Sequence, residues 1–279
     1  MSLLIDVQNL SIQFGGLKAV DQVSFSIQEN EIFGLIGPNG AGKTTVFNML
    51  SGFYQADHGQ IIFQNQNITP LKPHEVNKIG IARTFQNIRL FKGLSVLENV
   101  IVALQQKEKH TWIDSLIHTS HFKQTEKILI DHSMELLKIF NLDRFANEFA
   151  DSLPYGDQRK LEIVRALATK PKLLMLDEPA AGMNHSEKAA LNELIHFIKN
   201  KFQLTVLLIE HDMKVVMGIC DRIAVLHRGR KIAARVSTLA RANPLVFLWG
   251  DYEDSRSLQR SGKTFLKSSR LSQRIYMDW

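Results

Sequence analysis

Short apolar segments of strand length occur in the first and last thirds of the chain, whereas the middle has a different pattern. In the first third, alternation and flanking turn residues predict β-strands at residues 4–7, 23–27 and 60–63. In the last third, nearly continuous apolar runs predict strands at residues 173–176, 205–209 and 222–226. Runs of this kind are typical of parallel strands covered on both faces, so we expect an α/β fold with a parallel sheet.

Residues 87–160 mix charged and apolar side chains at helical spacing and contain no convincing strand. One helix face there carries a mostly apolar stripe made of Leu129, Ser133, Leu136, Leu137 and Phe140. The pattern predicts a helical subdomain at 87–160, inserted into a core formed by residues 1–86 and 161–240. Residues 241–279 are expected to form a basic tail outside that core.

The clearest chemical motif lies between a predicted strand at residues 32–36 and a predicted helix at 44–50. It reads Gly37-Pro38-Asn39-Gly40-Ala41-Gly42-Lys43-Thr44-Thr45 and matches the phosphate-binding pattern G-x-x-x-x-G-K-[ST]. Its glycines allow backbone N–H groups and the helix dipole to face an anion. Lys43 is long enough to reach outer phosphates, and the Thr44 hydroxyl is a candidate Mg²⁺ ligand. The alternative, a glycine-rich turn that binds nothing, leaves the agreement of loop, lysine and flanking elements unexplained.

Two further candidate groups follow strands of the predicted parallel sheet. Asp177 and Glu178 come directly after residues 173–176, where a carboxylate can hold Mg²⁺ through water and its neighbour can polarise an attacking water. An acidic turn before Pro179 is the alternative, which the phosphate-binding motif makes less favourable. His211 follows residues 205–209 and could donate a hydrogen bond to a γ-phosphate.

Composition limits the class of protein only coarsely. The 279 residues carry a net charge of +6, and the single cysteine, Cys220, excludes an intramolecular disulfide. We expect no signal peptide at the N-terminus, and no apolar run approaches about 18 residues, so a membrane would be reached through a partner. The basic tail is compatible with nucleic-acid binding, but without an interleaved aromatic module a solvated end is the preferred interpretation.

A segment reading Leu153-Pro154-Tyr155-Gly156-Asp157-Gln158 opens a predicted helix that extends to about residue 168. Together with Gln86 and the motifs above, in this order, it resembles the signature loop of the ABC-type ATPases. The resemblance covers about residues 1–235. It implies a P-loop NTPase core of the RecA-like class, with an antiparallel β part and an inserted α-helical subdomain. It also implies ATP hydrolysis by two such subunits that close over two ATP molecules.

The resemblance assigns roles to individual positions. Phe14 would stack on adenine, Gln86 would contact Mg²⁺ or the attacking water, and Glu178 would be the general base. His211 would be the γ-phosphate switch, and residues 181–184 would cross the dimer interface. Metal contacts would come from Thr44, Gln86 and Asp177. The signature residues facing the opposite subunit's ATP would be Pro154, Tyr155, Gly156 and Asp157.

The signature departs from the usual Leu-Ser-Gly-Gly-Gln pattern, because Pro154 occupies the position of the serine. Its hydroxyl is therefore absent, and we expect the contact to come from backbone donors at Tyr155 and Gly156. Proline is well suited to the start of a helix, so the local structure should tolerate the change.

Several longer stretches are similar to one subgroup, the ATPases of high-affinity branched-chain amino-acid importers. They are residues 14–20, 45–48, 52–54, 83–91, 177–184 and 210–218. This resemblance implies two transmembrane permease subunits, a second ABC ATPase subunit, an extracytoplasmic solute-binding protein and a peripheral place on the cytoplasmic face of the inner membrane. Two alternatives stay open: another ABC transporter, for urea or amide uptake or for lipopolysaccharide export, and a soluble ABC ATPase that acts on nucleic acid or ribosomes.

Overall fold

The computed structural model describes residues 2–106 and 120–236, which form two compact units. The first unit contains residues 2–71 and 184–236, and the second contains the described residues of 72–183. Part of the predicted helical insertion and the predicted tail at 241–279 lie outside the described residues. The predicted subdomain boundaries near residues 87 and 160 fall inside the second unit and stay a prediction.

The first unit contains an antiparallel sheet in the order β2-β1-β4-β5. Its strands are β1 (Leu3–Phe14), β2 (Leu17–Gln28), β4 (His58–Phe63) and β5 (Gln66–Asn67). β1 and β2 are longer than the predicted strands. Their pairing register shifts between Val7 and Leu10, so the alternation of apolar and polar positions is not continuous. The polar residues Asn9 and Gln22 have positive φ and interrupt the alternation of apolar positions. Such irregularities hide the full length of a strand from a period-2 pattern.

The same unit contains the predicted parallel strands β3 (Ile32–Ile36), β8 (Thr205–Ile209) and β9 (Arg222–His227), with β3 pairing with both others. Every residue of β3 and β8 is buried, as the continuous apolar runs indicated. An antiparallel strand, β10 (Arg230–Val236), pairs with β9 and was not predicted. Its hairpin turn places Arg228 and Gly229 at positive φ, which is the turn that suits a two-residue hairpin.

Three helices belong to the first unit: α1 (Lys43–Leu50), α6 (His185–Phe202) and α7 (Met213–Ile219). α6 begins at a capping box in which the Asn184 side chain accepts from the Glu187 N–H and the Glu187 carboxylate accepts from the Asn184 N–H. Its buried face is formed by Leu191, Ile195 and Ile198. The helix ends at Gln203, which adopts the left-handed conformation.

The second unit pairs β6 (Ile81–Arg83) with β7 (Leu173–Asp177) in parallel. Its helices are α2 (Pro73–Lys78), α3 (Val96–Gln105), α4 (Ser120–Ile139) and α5 (Tyr155–Ala168). The described residues of 87–160 form helices and turns and, apart from an isolated bridge between Ser95 and Phe149, no β pairing. The apolar stripe predicted for α4 is buried at Leu129, Ser133, Leu137 and Phe140 and half-buried at Leu136.

Among the helices of residues 2–106 and 120–236, none combines the length and the apolar character needed to cross a membrane.

Candidate active site

The glycine-rich loop lies in the first unit between β3 and α1, as predicted. Gly37 has φ 152°, and a Cβ there would lie 2.2 Å from the Leu226 carbonyl oxygen. Gly42 has φ 97°, and its Cβ would lie 2.6 Å from the Ala19 carbonyl oxygen. These distances are shorter than any real contact, so the path of the loop requires glycine at both positions.

Lys43 is buried, and its ammonium donates hydrogen bonds to the Gly37 carbonyl at 2.6 Å and the Pro38 carbonyl at 3.0 Å. The side chain therefore curls back over the loop that precedes it. No described side chain caps the N-terminus of α1, and the Thr44 side chain at that end is exposed. Uncapped N–H groups, a lysine and a hydroxyl at one helix N-terminus form a cradle suited to a phosphate chain.

The loop is supported from behind by the β9–β10 turn. The Gly229 N–H donates to the Ala41 carbonyl at 3.0 Å, and the Gly229 carbonyl accepts from the Asp21 N–H at 2.7 Å. The loop and two segments far from it in sequence are thereby joined by backbone hydrogen bonds. This support explains how a loop with three glycines at positive φ keeps one conformation.

Phe14 is 45% exposed at the end of β1, and its ring meets the ring of Tyr54 edge to face, with centroids 5.2 Å apart. An exposed aromatic ring held by a second ring offers a flat face for a planar ligand such as a base. Phe14 was predicted as a site residue, whereas Tyr54, which lies 40 positions later, was named only within the stretch 52–54. Its proximity to Phe14 depends on the fold.

His211 is exposed and lies two residues after the end of β8, at the edge of the sheet where it was expected. The next residue, Asp212, caps α7 by accepting from the Lys214 N–H at 2.9 Å and forms an ion pair of 2.7 Å with Lys188 of α6. The hydrogen bond from Lys188 is the main cause that lowers the pKa of Asp212. The carboxylate is therefore charged at neutral pH, and it anchors the residue next to His211.

The second unit brings two predicted residues together. The Gln86 amide donates to Glu178 Oε2 at 3.0 Å, although the residues are far apart in sequence. Glu178 has φ 47°, a left-handed conformation that is uncommon outside glycine and is concentrated at functional sites. The Glu178 carboxylate is half-buried directly after β7, where the sequence predicted it.

Asp177 is buried at the end of β7 and pairs through Oδ2 with the Arg83 guanidinium at 2.8 Å. Burial lowers the pKa of Arg83, and the hydrogen bond to Asp177 opposes that shift. The ion pair occupies Oδ2 and leaves Oδ1 outside it. Within the described residues no group of three or more His, Cys, Asp or Glu side chains could hold a metal. A carboxylate oxygen of this kind fits Mg²⁺, which takes few protein ligands and completes its shell with water and phosphate oxygens.

The signature segment forms the N-terminus of α5, with Pro154 as the residue before the helix. The Pro154 carbonyl accepts from the N–H groups of Asp157 at 2.9 Å and Gln158 at 3.0 Å. The N–H groups of Tyr155 and Gly156 belong to the first turn, where a helix supplies no internal acceptor. Pro154 therefore fits the start of this helix. The contact through the backbone donors of Tyr155 and Gly156 stays a prediction.

Sequence reasoning missed three buried charged residues next to these predicted ones. Arg83 pairs with Asp177. Arg159 and Glu162 of α5 form an ion pair of 3.0 Å and bond the backbone of Phe85 and Gln86. The spacing of Arg159 and Glu162 places them on one helix face, which was a usable signal. Their burial, which gives the pair its meaning, was not visible in the sequence.

Comparison with known families decides the relationship of the chain. The sequence model of the ABC transporter family matches residues 20–181. The chain belongs to this family. It is an ATP-binding cassette, the ATPase subunit of a transporter complex, and the family and activity expected from the sequence are confirmed.

Curated relatives of this cassette include a protein of Escherichia coli (strain K12), the high-affinity branched-chain amino acid transport ATP-binding protein LivG. The two are 45% identical over 241 residues, which cover 86% of this chain and 94% of LivG. The protein BraF of Pseudomonas aeruginosa, which carries the same functional description, is 43% identical over the same shares of both chains.

Solved structures of ABC cassettes have the same fold. The ADP conformation of one ABC transporter cassette matches with a TM-score of 0.75 and 30% identity, covering 88% of this chain and 96% of the other. A dimeric bacterial cassette matches with a TM-score of 0.71 and 25% identity, covering 84% and 99%. The P-loop NTPase fold is therefore confirmed. The second of these two cassettes is dimeric in its structure.

Proposed function

We propose that this cassette hydrolyses ATP to energise the uptake of branched-chain, hydrophobic amino acids. The observation that carries the proposal is its 45% identity to LivG over 94% of that protein's length. The residues of the proposed site act on ATP, so the proposal of the solute depends on the relatives. The ATPase chemistry depends on this chain's own residues.

In the proposed site the loop of residues 37–45 holds the phosphates of ATP. Its N–H groups and the α1 dipole stabilise the negative charge, and Lys43 exchanges its two carbonyl partners for the outer phosphates. Phe14 stacks on the adenine. The Thr44 hydroxyl, the Asp177 carboxylate and the Gln86 amide would hold Mg²⁺, which when bound offsets charge on the phosphate oxygens.

Glu178 is proposed as the general base that takes a proton from the attacking water. The Gln86 amide donates to Glu178 Oε2 at 3.0 Å, and this hydrogen bond orients the carboxylate of the proposed base. His211 donates to the γ-phosphate and thereby distinguishes ATP from ADP. Asp212 keeps the loop of His211 in place by bonding two helices of the first unit.

The proposed partners are a second ABC ATPase subunit, two transmembrane permease subunits and an extracytoplasmic solute-binding protein. The cassette would be peripheral to the cytoplasmic face of the inner membrane. Its signature residues, Pro154 to Asp157, would face the ATP held by the second subunit, and residues 181–184 would cross between the two subunits. Closure then depends on the γ-phosphate, because only contacts that differ between open and closed states shift that equilibrium.

The test is the ATPase activity of the cassette co-purified with its membrane partners and binding protein. We expect leucine, isoleucine or valine, in the presence of the binding protein, to increase ATP hydrolysis. Glu178→Gln in the same complex is the control for contaminating ATPases. Hydrolysis that depends on Glu178 but responds to urea, short amides or a lipid, and not to these amino acids, would contradict the proposed solute.

A further inference from the structure

Two charged side chains of α5 hold the backbone of the segment that carries Gln86. Arg159 Nη1 donates to the Phe85 carbonyl at 2.5 Å, and its Nη2 donates to the Gln86 carbonyl at 2.7 Å. Glu162 Oε1 accepts from the Phe85 N–H at 3.1 Å, and Glu162 Oε2 pairs with Arg159 at 3.0 Å. We call this arrangement the Arg159–Glu162 clamp. It bonds three backbone groups of two consecutive residues.

Both side chains of the clamp are buried, so the cost of desolvating their charges offsets much of what the ion pair contributes to the free energy of folding. Arg159 is 1% exposed and Glu162 5%, and Arg159 Nε has no hydrogen-bond partner among the described residues. Burial also raises the pKa of the Glu162 carboxyl, against the opposing effect of Phe85 and Arg159. A buried ion pair of this kind commonly stabilises a fold no better than apolar residues of equal volume. Its specific feature is the geometry it imposes on residues 85 and 86.

One further hydrogen bond connects the clamp to Glu178, the proposed general base. The carbonyl of Gln86 is held by Arg159, and the side chain of the same residue donates to Glu178 Oε2 at 3.0 Å. Arg159 itself lies in the second turn of α5, the helix that begins with the signature residues, and its Nη2 also contacts the Tyr155 hydroxyl at 3.4 Å. A continuous series of hydrogen bonds thus joins the start of α5 to Glu178.

We propose that Arg159 is a positioning residue that ties Gln86 to the signature helix and so sets the Gln86–Glu178 hydrogen bond according to where that helix lies. The inference rests on the proposed roles of Gln86 and Glu178. A helix moved by contact with ATP on the partner subunit would carry the backbone of residues 85 and 86 with it. Glu178 Oε2 would then gain or lose the Gln86 amide, and with it the orientation needed to accept a proton from water.

The test is a double-mutant cycle on the complete transporter complex, made of Arg159→Met, Gln86→Ala and the pair together. We expect Arg159→Met to lower kcat by about tenfold to a hundredfold, because small misplacements near a reacting group have effects of that size. KM for ATP should change by less than about twofold, since the phosphate loop is intact. The double variant should equal Gln86→Ala alone, because both changes interrupt one series of contacts.

Arg165→Met is the matched control. Arg165 is a second arginine of α5 with a buried Nε, and it donates to the Arg89 carbonyl, three residues beyond Gln86. Arg165→Met should lower the melting temperature, as the loss of a buried arginine commonly does. When it is combined with Gln86→Ala, the factors by which the two changes lower kcat should multiply. If the factors by which Arg159→Met and Gln86→Ala lower kcat also multiplied in their double variant, the inference would be overturned.

Arg159→Lys covers the case in which the methionine variant does not fold. Lysine keeps a positive charge beside Glu162, but its single nitrogen cannot span the two carbonyls that the guanidinium holds. We expect a folded protein with lowered kcat and with faster hydrogen–deuterium exchange in the peptide containing Phe85. Wild-type kcat and exchange in this variant would refute the positioning role.

The cycle also separates failure of the inference from failure of the proposed site. Unchanged kcat in Gln86→Ala and Glu178→Gln would reject the proposed site itself. A large loss in those two variants, together with wild-type kcat in the Arg159 variants, would reject the clamp alone.

Discussion

At the scale of single residues, Gly37 and Gly40 belong to the same loop but tolerate a side chain differently. Both have positive φ, at 152° and 77°. A Cβ at Gly37 would meet the Leu226 carbonyl oxygen at 2.2 Å, whereas a Cβ at Gly40 would have no described atom within 4 Å. Alanine at Gly37 therefore adds a collision with backbone to the conformational strain, while alanine at Gly40 adds strain alone.

We expect Gly37→Ala to destabilise the nucleotide-free protein by about 3 kcal/mol or more, and Gly40→Ala by about 1 kcal/mol. The measurement is the midpoint of urea unfolding for both variants and the wild type. Using nucleotide-free protein keeps ligand binding out of the comparison. Equal midpoints for the two variants would contradict this prediction, because they would show that β9 moves aside at Leu226.

At the scale of elements, Asp212 joins α6 to α7 and is the residue next to His211. Its carboxylate caps α7 at the Lys214 N–H and pairs with Lys188 of α6. Two contacts made by one carboxylate link the end of β8 to two helices. The position of the His211 backbone therefore depends on a residue with no proposed contact to ATP.

We expect Asp212→Ala to lower stability by about 1 kcal/mol through loss of the cap, and Asp212→Asn by less, since asparagine keeps an acceptor oxygen. Lys188 lowers the pKa of Asp212 from its ordinary value of 3.8. The ion pair therefore contributes stability above pH 3.8, and the contribution is lost as pH falls through the lowered pKa. Urea unfolding at neutral pH and at a pH below the lowered pKa of Asp212 measures both effects. A difference between wild type and Asp212→Asn that persists in acid would contradict this account.

At the scale of the whole molecule, the cassette is expected to act as one half of a dimer. Glu178→Gln keeps the hydrogen-bond acceptor for Gln86 but removes the proposed base. We expect this variant to bind ATP, to hydrolyse it about 10²–10⁴ times more slowly, and to accumulate as a dimer. Light scattering with ATP, with ADP and without nucleotide measures the mass, and phosphate release measures hydrolysis. Normal turnover would remove Glu178 from the role of base.

Features that depend on local pattern could be predicted from the amino-acid sequence. The glycine-rich loop, the apolar runs of β3 and β8 and the order of motifs were sufficient for the fold and the ABC transporter family, both of which were confirmed. These succeed because the hydrophobic period and the turn residues act over a few neighbouring positions. The roles of individual site residues stay proposals.

Tertiary structure alone decided which distant residues meet. The Gln86–Glu178 bond, the Arg83–Asp177 pair, the Phe14–Tyr54 contact and the Arg159–Glu162 clamp on residues 85–86 all join segments far apart in the chain. The charged side chains in these contacts are largely buried, and a desolvated charge requires a partner within hydrogen-bond distance. Which partner it finds depends on how strands and helices pack, and neither composition nor spacing encodes that distance.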